Sequence, residues 1–190
     1  MDSTERGVSK LQIGVFGSRR RDLDRAIYDA AERIGARIAI LGHVLVTGAA
    51  TGVSACAAEG ARRAGGIVVG VSPWPAEPRE QVTACPDDID TLSMTVLIAS
   101  GFGHKGRNVV AIRSCDCVLI VNGGFGALNE ATIAVNERRW IGCLEGSGGA
   151  ADLLRTIVER LGGYERIVYA RNPERLVDDL ISAVQAGSTS

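Results

Sequence analysis

Compact apolar runs and amphipathic stretches alternate along this chain almost from end to end. "LQIGVF" (11–16) is an apolar run that stops at Gly17-Ser18. Asp22 then predicts a helix cap, because Leu23, Ile27, Ala30, Ile34, Ile38 and Leu41 recur near the spacing of one helical face. "HVLVTG" (43–48) predicts a second strand, the Ala-rich stretch 52–64 a helix, and "IVVGVS" (67–72) a third strand. Residues 73–93 hold four of the five prolines and show no period, which predicts a long surface excursion. The alternation then resumes. Strands are predicted at 94–100, 116–121, 140–145 and 166–170, with helices at about 105–114, 126–138 and 149–161. Asn172 and Pro173 open a last helix with the stripe Leu176, Leu180, Ile181 and Val184.

Strand and helix in strict alternation predict an α/β fold, an open parallel sheet with helices on both faces. Ligands of such sheets bind beyond the carboxyl ends of the strands, where the strand order reverses. We expect one domain over 11–186, with a disordered leader at 1–10 and a frayed tail at 187–190.

Composition narrows the function. A net charge of −1 over 190 residues gives no basic field for a nucleic acid polymer. The five cysteines show neither CxxC nor disulfide spacing, so no metal site and reduced thiols are expected. No run is long enough to span a membrane, and "MDSTERG" is no signal peptide. The expected location is cytoplasmic.

Glycine falls where the switch-point rule wants it. Gly17-Ser18 follows the first strand, Gly48 to Gly52 the second, Gly101 to Gly103 the strand after the long excursion, and Gly123, Gly124 and Gly126 the next. Helix N-termini with open amides and little side-chain bulk hold anions. A phosphorylated small molecule is the expected ligand, with Gly17, Ser18, Gly48, Gly52, Gly101, Gly103, Asn108, Gly123, Gly124, Phe125, Gly126 and Ala127 as its binding residues. Neither G-x-G-x-x-G nor a G-K-[ST] phosphate loop occurs, which argues against NAD and excludes P-loop ATP hydrolysis.

"GRNVVAIRSCD" (106–116) paired with "NGGFGALNE" (122–130) resembles the LONELY GUY-type proteins, long mislabelled lysine decarboxylases. "SGFG" ahead of Arg107-Asn108 is closer still to their bacterial relatives of the molybdenum-cofactor-carrier type. "TGAATGVSACAAEGARRAGG" (47–66) is similar to a second glycine motif of the same families. The likeness covers about 11–145. It implies a modified Rossmann fold in homodimers or homotetramers. In the enzymes of the family it also implies cleavage of a nucleoside 5′-monophosphate to free base and ribose 5-phosphate. Their signature is P-G-G-x-G-T-x-x-E after an Arg-Lys pair. Gly123, Gly124, Gly126, Glu130, Arg107 and Arg113 match it, while Asn122, Ala127 and Asn108 replace its proline, threonine and lysine.

Two roles stay open for each key residue. Glu130, read as lying in the first turn after the glycines, either favours the helix dipole or faces a ribose as a catalytic carboxylate. Arg107 is either solvated or catalytic toward a phosphate or leaving base. Asn108 binds ligand or caps its helix, and Ser18 likewise. His104 is expected to face solvent, His43 to be structural, and Trp74 and Trp140 to be packing or interface residues, with cover of a ligand base as the alternative for Trp74. The departures favour a carrier or binding protein, with the molybdenum cofactor as possible cargo and no catalytic cofactor required. Arg107 and Glu130 favour the phosphoribohydrolase alternative. Pyridoxal chemistry needs a Schiff-base lysine, and only Lys10 and Lys105 exist, in a polar leader and a glycine loop. Lysine decarboxylation is excluded.

Overall fold

The computed structural model describes residues 10–75 and 92–187. Residues 1–9 of the expected leader, most of the proline-rich excursion, Cys85 and residues 188–190 of the expected tail lie outside them. Seven strands form one all-parallel sheet in the order β4-β3-β2-β1-β5-β6-β7. They are β1 (Gln12–Gly17), β2 (Val44–Thr47), β3 (Ile67–Ser72), β4 (Val96–Ala99), β5 (Cys117–Val121), β6 (Trp140–Leu144) and β7 (Ile167–Ala170). The chain winds outward from β1 in one direction, returns to β5, and winds outward in the other. The strand order therefore reverses between β1 and β5.

The helices are α1 (Arg25–Ile40), α2 (Val53–Arg63), α3 (Gly103–Arg113), α4 (Phe125–Asn136), α5 (Gly149–Arg160) and α6 (Pro173–Gly187). Helices α1, α2 and α6 cover one face of the sheet, and α3, α4 and α5 the other. The central strands feed both cores with period two. Cys117, Leu119 and Val121 enter the first, and Val118 and Ile120 the second. That is why β5 reads as an unbroken apolar run and not as an alternating one.

Helix α1 begins two residues later than Asp22 suggests. Asp24 is the cap, its carboxylate accepting from the Ala26 N–H at 2.9 Å. Asp22 is engaged instead by Arg20, 2.8 and 2.7 Å from its two oxygens. Helices α1 and α2 lie so close that a Cβ on Gly35 would collide with the Ala57 carbonyl, and one on Gly60 with that of Glu32. His43 is structural, as its sequence position suggests. It is buried, and its Nδ1 accepts from the Leu11 N–H at 3.2 Å.

Candidate functional site

A cavity of about 550 Å³ opens at the carboxyl ends of β1 and β5, where the strand order reverses. Its walls come from the turn after β1 (Gly17 to Arg20), the turn after β5 (Asn122 to Gly124), the first turn of α4, and α3.

The α4 end of the cavity is built for an anion. No side chain caps α4 at Gly124, and Gly124, Phe125, Gly126 and Ala127 all line the cavity. Glycine at 124 and 126 leaves open space where a Cβ would stand. Backbone donors of the first helical turn have no partner within the helix and carry its positive dipole end. Phe125 projects from this turn with its ring almost wholly exposed, at 92%.

Opposite lies a buried polar cluster. Arg107 and Glu130 are only 5% and 6% exposed, and Arg107 Nη1 donates to Glu130 Oε1 at 3.1 Å. With its amide oriented to satisfy its neighbours, Asn108 also donates to Glu130 Oε1 at 3.1 Å and to the His104 carbonyl at 2.9 Å. One carboxylate oxygen thus takes two donors from α3. Burial pushes the Glu130 carboxyl up to about 7, while Arg107, and to a lesser degree Arg19, pull it back down.

The structure alters several expectations about these residues. Glu130 stands beyond the first turn of α4, which carries no acidic residue, so it is not a dipole cap. Arg107 is not solvated, and Asn108 is no helix cap, since α3 is capped by Phe102 without a side-chain bond. Ser18 is buried and caps nothing on α1. Its Oγ accepts from the Arg20 N–H at 3.2 Å. Arg113 points away and pairs with Glu137 at 2.8 Å. His104 does not simply face solvent. It lines the cavity, and Trp74 meets its ring edge-on at 5.6 Å between centroids.

Of the residues expected at the ligand, Gly17, Ser18, Arg107, Asn108, Gly123, Gly124, Phe125, Gly126, Ala127 and Glu130 line the cavity. Gly48, Gly52, Gly101 and Gly103 stand behind it. Gly48 leaves room for the Arg107 guanidinium, and Gly52 packs on the backbone of Ser18 to Arg20. Gly101 and Gly103 take up positive φ in the turn into α3, bonded to the Trp74 and Pro73 carbonyls. Sequence reasoning did not place Leu23, Ala50, Ser54 or Gly149 in the wall. Arg19 and Arg20, beside Gly17-Ser18, line it as well. Gly149 arrives from the far side of β6 and left no signal. Among the described residues no group of His, Cys, Asp and Glu could hold a metal ion, and no helix is long and apolar enough to cross a membrane.

Comparison with known proteins bears on the family and the fold. An uncharacterized protein from Archaeoglobus fulgidus is 36% identical over 135 residues, 71% of this chain and 80% of that protein. The molybdenum cofactor binding protein from the phototrophic bacterium Rippkaea orientalis superposes with a TM-score of 0.76 at 25% identity, over 93% of this chain and 99% of the other. The Moco carrier protein from Chlamydomonas reinhardtii gives 0.73 at 25%, over 94% and 99%. The model of the SLOG cluster4 family matches residues 10–177, nearly the whole sheet and its helices, and the chain belongs to that family.

Proposed function

We propose that this protein is a carrier or binding protein for a phosphorylated, nucleotide-like ligand, of the nucleotide or molybdopterin type. The observation that carries this reading is the uncapped first turn of α4, which opens into the cavity with Gly124 and Gly126 at its surface. A phosphate placed there meets backbone amides and the positive end of the helix. A flat ring would extend toward Phe125 and His104. The structural likeness to a molybdenum cofactor binding protein supports molybdopterin-type cargo. Assembly as a homodimer or homotetramer in the cytoplasm belongs to the same proposal.

A second reading rests on Glu130. A buried carboxyl at a cavity wall, raised toward neutrality, is placed for general acid–base work on the N-glycosidic bond of a nucleoside 5′-monophosphate. Two features favour binding over turnover. Arg107 and Asn108 both hold the same Glu130 oxygen, and Ala127 offers no hydroxyl at the helix start.

The test is anaerobic incubation of the pure protein with a panel of nucleoside 5′-monophosphates, with Glu130→Gln alongside. Free base and ribose 5-phosphate are scored by mass spectrometry, and native spectra record bound ligand. Intact ligand retained by both proteins supports the carrier. Release that vanishes in the variant establishes the hydrolase instead. A protein that neither retains nor cleaves a phosphorylated ligand overturns both.

A further inference from the structure

We propose that Asn122 and Ser147 are positioning residues for the anion site. Together they hold the turn after β5 in the conformation that aims the α4 amides into the cavity. This rests on the binding function proposed above and assigns how this chain builds that site.

Asn122 has a positive φ of 53°, a left-handed conformation that asparagine tolerates better than most residues. The proline of the related P-G-G pattern is locked near −65° and cannot take it. The turn here is therefore made differently, and Asn122 is tied in at every polar group. Its N–H donates to Ser147 Oγ at 2.8 Å, and its side-chain amide donates to the Ser147 carbonyl. Its Oδ1 accepts from the Gly123 N–H at 2.7 Å, and its carbonyl accepts from the Ala151 N–H at 3.1 Å.

Ser147 completes the device from the turn after β6. It is buried, and its hydroxyl donates to the Leu144 carbonyl at 2.7 Å while accepting from Asn122. The Ala150 N–H donates to the Gly123 carbonyl at 2.8 Å. The Ala150 and Ala151 amides in the first turn of α5 are thus directed at the carbonyls of the turn. Those carbonyls would otherwise be free to swing toward a bound anion and repel it. The two loops pack so tightly that a Cβ on Gly149 would collide with the Gly123 carbonyl. Asn122 lines the cavity, yet its polar groups are all engaged inside the protein. Its influence on a ligand runs through the turn.

The test is titration of the full chain with inorganic phosphate, followed by amide NMR. In the wild type, phosphate is expected to shift the amides of Gly124 to Ala127. Ser147→Ala and Asn122→Gly each remove the clamp, and Asn122→Gly does so while keeping the left-handed φ available. Both should weaken phosphate binding roughly tenfold, as loss of a positioning hydrogen bond would. Ser147→Thr, which retains the hydroxyl, should restore it. Wild-type affinity in Ser147→Ala and Asn122→Gly, with the amide shifts intact, would sink the clamp and leave the anion site standing. Absence of amide shifts in the wild type would sink the anion site and the clamp with it.

Discussion

The Arg107 guanidinium occupies the space that a side chain on Gly48 would need. Residue 48 lies at the end of β2 and residue 107 on α3, and a Cβ on the first would fall inside the head group of the second. The neighbouring Ala49 is held at φ 50°, its N–H donating to Thr47 Oγ1 at 2.8 Å. The turn after β2 is thus shaped around the arginine that grips Glu130. Gly48→Ala is expected to push Arg107 off Glu130 and leave two buried charges poorly paired. The expected cost is about 3 kcal/mol, the scale for breaking a buried ion pair. Urea denaturation checks it. The effect should shrink in a Glu130→Gln background, because the pair is then already lost.

Stability should also report the state of Glu130. Its carboxyl titrates at about 7 in the fold, against an ordinary value of 4.5. Between those values the native state holds more protons than the unfolded chain. The contribution of Glu130 is therefore fully present below pH 4.5 and is lost as pH rises through about 7. The difference is at most roughly 3–4 kcal/mol, at about 1.4 kcal/mol per pKa unit. Relative to Glu130→Gln, the wild type should lose unfolding free energy as pH rises across this window, so the two curves separate in favour of the variant toward high pH. Parallel curves would show that Glu130 is ionised throughout.

Phosphate affinity should follow the same titration. Protonation of Glu130 removes a negative charge from the cavity wall beside Arg107, so an anion binds more tightly as pH falls through about 7. Sulfate keeps a fixed charge in this range and is the cleaner probe. Its Kd by calorimetry should fall with pH in the wild type and stay nearly level in Glu130→Gln.

Cysteine reactivity offers a check on packing. Cys115, Cys117 and Cys143 are buried, and burial pushes their thiols up, that of Cys143 to about 12. The thiolate is the reactive form. Iodoacetamide applied to the native protein should therefore spare these three and modify the half-buried Cys56. Peptide mass spectra before and after unfolding would read this directly.

The α1–α2 contact gives the plainest stability test. Gly35→Ala drives a methyl into the Ala57 carbonyl and forces the helices apart. Overpacking of this kind costs about 1–3 kcal/mol, which a shift in the urea midpoint would reveal. By contrast, Arg37→Ala removes only a solvent-screened pair with Asp178 and should leave the urea midpoint nearly unchanged.

Much of the fold was legible along the chain because parallel strands buried on both faces are long apolar runs, and their connecting helices carry one apolar stripe. The seven strands and six helices lie within a few residues of where that pattern puts them. The glycine motifs marked the turns after β1 and β5, which do meet at one cavity. The finer errors have a common source. Asp22 and Asp24 are both plausible caps by type, and only the position of Arg20 decides between them. Glu130 reads as a first-turn acid until the helix start is fixed at Phe125, which moves it onto the buried face.

The sequence by itself determined the alternation of strand and helix, the apolar cores on both sheet faces, and the glycine-rich strand ends that invite an anion. These are local properties, set by spacing and by the backbone freedom of glycine. Only the tertiary structure decided that Gly48 shelters Arg107, that Arg107 and Asn108 converge on one oxygen of Glu130, and that Ser147 ties down Asn122. Those relationships join residues 22 to 59 positions apart, and they exist because a parallel sheet gathers the ends of distant strands along a single edge.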